Sequence, residues 1–149
     1  MSDKKCIAIA SDHAGFALKT MVKELLVAEG YTVRDLGADS EESVDYPDFG
    51  YAMGEVISSG EVQYGIVICG SGIGISIAAN RFKSVRAALC HSVETAKLSR
   101  QHNDANVLAL GARVLDQNIA LECVDTFLTT GFEGDRHQRR VNKLGEKGE

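Results

Sequence analysis

Gly65-Ile66-Val67-Ile68-Cys69 is an unbroken apolar run, and Gly70-Ser71-Gly72-Ile73-Gly74 follows it at once. A short apolar run bounded by turn residues reads as a buried strand. The glycine-dense stretch reads as a loop opening a helix, Ile75-Ser76-Ile77-Ala78-Ala79-Asn80. A thiol is thereby placed at the carboxyl end of a strand, beside a helix N-terminus. Glycines let backbone N–H groups converge on an anion, and such a field favours thiolate over thiol. A polarised sulfur next to an anion cradle is a candidate reaction centre. The bland alternative is a tight turn with an incidental cysteine. Against it, three glycines in five residues weaken a helix start unless close approach is needed.

Outward from this point, strand and helix patterns alternate. Cys6-Ile7-Ala8-Ile9-Ala10 is a continuous apolar run, as a strand covered on both faces requires. Residues 14–29 carry apolar side chains at three- and four-residue spacing (Phe16, Leu18, Met21, Val22, Leu25, Leu26) and predict a helix stopped by Gly30. Tyr31-Thr32-Val33-Arg34 is a short second strand, and 36–46 a polar, acidic loop. Pro47 opens a helix to about Ser59, closed by Gly60. The Cys69 run is the third strand, 85–90 the fourth, 93–101 a helix and 107–110 the fifth strand. Asp116 caps a helix reaching about Thr129, and a polar, basic tail begins at Gly131. The expected fold is α/β: a three-layer α/β/α sandwich with a five-stranded parallel Rossmann-like sheet. Sites in such sheets lie outside the carboxyl ends of strands. The strand ends read Ser11-Asp12-His13, Cys69-Gly70-Ser71, Cys90-His91-Ser92 and Gly111-Ala112-Arg113, so polar groups are expected on one edge of the sheet.

Composition bounds the function. At 149 residues, 44% hydrophobic and 25% charged, the chain fits a single soluble domain spanning 1–149. Its net charge of -5 argues against nucleic acid or an anionic membrane as partner. No apolar stretch reaches transmembrane length, and the N-terminus runs straight into a strand without room for a signal peptide, so a cytoplasmic location is expected. Cys6, Cys69, Cys90 and Cys123 form no C-x-x-C pair. Cys6 and Cys123 read as small buried hydrophobes, and Cys90 is ambiguous.

The glycine loop is not a dinucleotide fingerprint, which needs G-x-G-x-x-G after a first strand, nor a Walker loop, because no Gly-Lys-Ser/Thr follows. A Cys-x5-Arg phosphatase would need arginine where Ile75 stands. Asp12 is either a helix cap or a group facing Cys69, with His13 beside it. His102, at a helix end before Asn103, is either a C-terminal charge partner or a proton carrier. Arg136, His137, Arg139 and Arg140 form the only basic cluster. They are either a solvated helix face or a phosphate clamp, with Arg136 and Arg140 one turn apart. His13, His91, His102 and His137 are scattered without a metal-binding spacing, so neither metal nor cofactor is expected.

Taken together, these motifs resemble the type B ribose-5-phosphate isomerases, a family that includes allose-6-phosphate isomerases and galactose-6-phosphate isomerase subunits. The resemblance runs from Ile7 to about Val141. It rests on Ser11-Asp12-His13-Ala14-Gly15-Phe16, Asp45-Tyr46-Pro47, residues 69–80, Ser99-Arg100-Gln101-His102-Asn103-Asp104, Asn106-Val107-Leu108, Gly111-Ala112-Arg113 and residues 136–140. It implies a metal-independent aldose–ketose isomerase that moves one proton between C2 and C1 of an opened sugar phosphate through an enediolate. Cys69 matches the family's base, and the amides of Gly70, Gly72, Ile73 and Gly74 would face the enediolate. Ser71 would relay a proton or bind the sugar. His102 matches the ring-opening acid–base, with Asp12 and Tyr46 near the sugar hydroxyls and Asn103 a hydroxyl contact. His13, Arg113, Arg136 and Arg140 match the phosphate set. Relatives without the cysteine carry a glutamate six residues on, where this chain has Ile75. Asp135 stands where relatives commonly have glycine, and adds a negative charge near the clamp. The resemblance further implies a homodimer or dimer of dimers with sites shared between subunits. A hexose 6-phosphate substrate, a non-catalytic sugar-phosphate-binding module and a metal-dependent isomerase are the competing expectations.

Overall fold

A computed structural model describes residues 5–147. Five strands, β1 (Cys6–Ser11), β2 (Thr32–Asp35), β3 (Tyr64–Cys69), β4 (Ala87–Leu89) and β5 (Val107–Gly111), form one parallel sheet in the order β2-β1-β3-β5-β4. Between and after them run α1 (Phe16–Ala28), α2 (Tyr46–Ser58), α3 (Ile73–Ala79), α4 (Val93–Gln101), α5 (Gln117–Thr129) and α6 (Arg136–Leu144). The expected three-layer α/β/α arrangement is the observed one.

Residue alternation sorts the two faces. Ile7, Ile9, Ile66, Ile68, Leu108 and Leu110 pack with Leu18, Val22 and Leu26 of α1, Ala96 of α4, and Cys123, Val124 and Phe127 of α5. The intervening positions, Ala8, Ala10, Val67, Cys69, Val107 and Ala109, face Met53, Val56 and Ile57 of α2 and Ile75 and Ala79 of α3. Large aliphatics therefore line one face and small residues the other, where α2 and α3 press close. The period of two along each strand is what a sheet buried on both sides demands.

Element ends depart from the sequence expectation for local reasons. Helix α1 starts at Phe16 rather than Ala14, because residues 12–15 close a turn in which the Gly15 N–H donates to Asp12 Oδ1 at 3.1 Å. Asp12 is thus a turn residue and not the cap of α1, whose N-cap is Gly15 without a side-chain bond. Strand β4 is shorter than 85–90: the Val85 N–H turns back to Phe82 O, and the Arg86 N–H donates to Asn106 Oδ1. The basic tail is helical from Arg136, and Asp116 caps α5 as expected, accepting from the Asn118 and Ile119 N–H groups.

The chain reverses its direction of travel across the sheet between β1 and β3, which are neighbours. Ser11 pairs with Ile68 and Cys69 with Gly111, so the ends of β1, β3 and β5 meet at this switch point.

Candidate active site

At the carboxyl edge, the ends of three strands and the start of α2 enclose an open cavity of about 640 Å³. Asp12, Tyr46, Cys69, Gly70, Ser71, Ile73, Gly74 and Arg113 line it, joined by Ile77 and Val114. Cys69 sits at its floor, 4% exposed, and its Sγ accepts the Gly72 N–H at 3.2 Å. That contact depends on Gly72 turning at φ 80, a left-handed conformation natural to glycine. A Cβ there would also lie 2.6 Å from Leu89 and 2.8 Å from the Leu110 carbonyl carbon. Ser71 Oγ accepts the Ile73 N–H at 3.1 Å. Gly74 leaves room for the Tyr46 ring, which a Cβ would meet at 2.4 Å.

The β3 loop is tied down by β5. The Ala112 and Arg113 N–H groups donate to the Cys69 and Gly70 carbonyls, both at 2.9 Å. The stem of exposed Arg113 lies beside Gly70. Asp12 is 6% exposed, and its N–H donates to Ile68 O at 3.2 Å. His13 accepts the Val44 N–H on Nδ1 at 3.1 Å. Its other ring nitrogen, Nε2, is therefore the one left to act as a donor.

Burial raises Cys90 above the ordinary thiol range, although Thr95 and Ser99 oppose it. Burial first, then Cys90 and Glu122, push Cys123 up to about 11. Both lie in the core with α4 and α5, away from the cavity. Cys6 is only half-buried, so one of the two thiols expected to be buried is not.

The remaining expected site residues lie elsewhere. His102 and Asn103 follow α4, which runs back from the carboxyl edge, so they sit just before β5 at the amino edge. Helix α5 returns to the same edge, where the Glu133 N–H donates to Gln101 O at 3.1 Å. Helix α6 then places the His137 ring on that of His102, centroids 4.4 Å apart. His102, Asn103, His137 and Arg140 line a second cavity, which shares no residue with the first. Arg136 and Arg140 are exposed on the same helix. His102, Asn103, Arg136 and Arg140 thus lie at the amino edge, opposite the strand-end groups. The signal lay in the topology: a crossover helix between parallel strands must end at the amino edge.

His137, one of four histidines scattered in sequence, is buried here and central to the second cavity. Burial first, then the charges of Arg136 and His102, hold its pKa below the usual imidazole value. Glu133 opposes that shift and Arg140 adds to it.

Residues 7–144 match the family model described as Ribose/Galactose Isomerase. The chain belongs to the ribose/galactose isomerase family. It is 47% identical over 140 residues to ribose-5-phosphate isomerase B of Escherichia coli K12, covering 94% of each chain. Among solved structures, ribose-5-phosphate isomerase B of Clostridium thermocellum superposes with TM-score 0.93 at 52% identity, covering 95% of each chain. The Mycoplasma genitalium ribose-5-phosphate isomerase B, solved with bound ribulose-5-phosphate, gives TM-score 0.91 at 42% identity, covering 97% of each. This chain is a sugar-phosphate isomerase, and the expectation of a non-catalytic binding module is set aside. None of the helices among the described residues is long and apolar enough to cross a membrane.

Proposed function

We propose that this chain, acting as one domain, interconverts ribose 5-phosphate and ribulose 5-phosphate through an enediolate, with Cys69 as the base. The observation that carries the proposal is the Cys69 sulfur at the floor of the switch-point cavity, held by the Gly72 N–H. The relative solved with ribulose-5-phosphate supports the choice of sugar.

The residues divide the work as follows. The open-chain aldose places C2–H against Sγ. Cys69 thiolate takes that proton, the C1–C2 double bond forms, and negative charge collects on O1. The amides of Gly70, Ser71 and Gly74 supply donors to it, since those of Gly72 and Ile73 already serve Sγ and Ser71 Oγ. One preorganised donor is worth about 3–4 kcal/mol in comparable oxyanion sites. The thiol returns its proton to C1, and the O2 proton is lost as the carbonyl forms there. Ser71 and Asp12 line the cavity where that proton passes between oxygens. Tyr46 contacts the sugar, Ile73 walls the cavity, and His13 and Arg113 hold the phosphate at one end.

His102 opens the ring, Asn103 binds a hydroxyl, and Arg136 and Arg140 grip the phosphate, all from a second copy of the chain. Within one chain these groups lie beyond the opposite end of β5. Its five residues, at about 3.3 Å each, span about 13–16 Å. A two-fold pairing that lays the amino edge of one copy against the carboxyl edge of the other completes two sites at once. The cavity mouth suits such a partner: Ile73 and Ile77 are each 52% exposed and Val114 is 68% exposed.

The test is Cys69→Ala, assayed with ribose 5-phosphate and allose 6-phosphate. Isomerisation should fall at least a hundredfold while the melting temperature and ribulose 5-phosphate binding persist. Unchanged turnover removes Cys69 as base. A large preference of the unmodified enzyme for the hexose phosphate removes the pentose assignment.

A further inference from the structure

The amino edge carries a convergence of ligating groups that isomerisation leaves partly unused. His102 at the end of α4, Glu133 in the α5–α6 connection and His137 in the first turn of α6 each offer one ligand atom, all within 4.8 Å of one another. Two contacts built into the backbone and rings hold them there. The Glu133 N–H donates to Gln101 O at 3.1 Å, docking the connection on α4, and the two imidazoles stack. His137 is 5% exposed, and its Nε2 has no hydrogen-bond partner among the described residues. Glu133 Oε1, at 3.7 Å, is too far for a hydrogen bond but stands on the same side. Buried polar atoms normally have a partner, so an orphaned one on the Glu133 side of a stacked imidazole pair points to an absent ligand, which both rings can share once His102 turns out of the stack.

Two imidazoles and one carboxylate are a zinc donor set, with the fourth position open to water. Donors bound at roughly 2.0–2.2 Å stand closer together than the present cluster, so it has to contract. Glu133, exposed and on a connection rather than in a helix, can supply that movement. The charges of Arg136 and Arg140 oppose any cation here, which disfavours magnesium and calcium, whose binding rests on oxygen ligands. Zinc binds imidazole directly, and the neighbouring arginines weaken its hold. Neutral imidazole is the ligating form.

We propose that His102, Glu133 and His137 form a Zn²⁺ site, and that zinc bound there inhibits the isomerase by engaging His102. The inhibitory half rests on the ring-opening role given to His102 above; the binding half does not. The test titrates Zn²⁺ alone into the metal-free full chain by calorimetry and measures turnover in parallel. Wild type should bind one ion per chain, lose turnover as the site fills, and recover it with EDTA. Glu133→Gln should weaken binding about tenfold or more, with metal-free turnover within twofold of wild type. His137→Gln should weaken binding similarly, and Cys69→Ala should bind as wild type does. No binding overturns the site. So does binding that survives Glu133→Gln but disappears in Cys69→Ala, because that places zinc on the thiol. One ion per chain with unchanged turnover leaves the site standing and overturns the inhibitory half together with the acid–base role of His102.

Discussion

Asp135 holds φ 47 and ψ -121, outside the usual regions for a side chain with a Cβ, at the N-cap of α6. A backbone held in a sparsely populated region costs about 1–3 kcal/mol. Against this, a carboxylate near a helix N-terminus gains only about 0.3–1 kcal/mol, and Asp135 makes no side-chain cap bond. The strain wins, which gives a physical reason for the glycine that the family resemblance implies at this position. Asp135→Gly should raise stability by about 1 kcal/mol after the extra chain entropy of glycine is counted, or about 2–4 °C in melting temperature. It also removes a negative charge beside Arg136, so KM for the sugar phosphate should fall with kcat little changed. Thermal melts and steady-state kinetics check both, and a lower melting temperature would show that the N-terminal charge outweighs the strain. Cys69 is a different case at the same scale. Its place at the end of a strand, with a tight glycine turn after it, was legible because the apolar run and the glycine spacing are both local. The pairing of Gly74 with the Tyr46 ring was not, since nothing in either segment announces the other.

At the scale of elements, the end of α4 is fixed by Arg100, which the fold buries to 4% exposure. Its Nη1 donates to Asp104 Oδ1 at 2.8 Å and Ala105 O at 2.7 Å, and its Nε to Thr130 O at 3.1 Å. The guanidinium also lies over the Tyr64 ring, 5.1 Å from its centroid. One planar fork thus joins α4, the start of β5 and the end of α5, and it brackets the turn carrying His102 and Asn103. Asp104, at φ 47, is gripped from the other side by Arg86, whose Nε donates to its carbonyl at 2.8 Å. Arg100→Met leaves Asp104 without its closest cation and takes a donor from the buried Ala105 carbonyl and the half-buried Thr130 carbonyl. The expected loss is about 3 kcal/mol, at the lower end for a broken buried pair because Asp104 is partly exposed. Chemical denaturation measures it. Arg100→Lys should recover little, because a point charge cannot serve three acceptors in one plane. The succession of strands and helices was readable because the apolar runs and the amphipathic spacing are local signals. The ends of α1 and β4 were not, because one is set by the turn that Asp12 closes onto Gly15 and the other by Asn106 reaching across from a distant segment.

At the scale of the molecule, the proposed site residues of one chain fall into two groups, or half-sites, one at each edge of the sheet. Side-chain rotation cannot join them across the length of β5, so catalysis by an isolated chain would have to dispense with His102, Arg136 and Arg140. Dimerisation of the kind argued above makes a distinctive demand that neither half-site makes alone. A Cys69→Ala chain keeps its His102, and a His102→Asn chain keeps its Cys69. Each homodimer is inactive, for every one of its sites lacks one group. In a mixed dimer, one site combines both lesions and the other combines neither. If subunits exchange freely, half of all dimers are mixed and half of their sites are intact, so activity should recover to about one quarter of wild type. Mixing the two purified variants under conditions of subunit exchange, and assaying ribose 5-phosphate turnover over time, measures this directly. Sites built within one chain would give no recovery at any mixing ratio, and that outcome would force His102 out of the reaction it is assigned here.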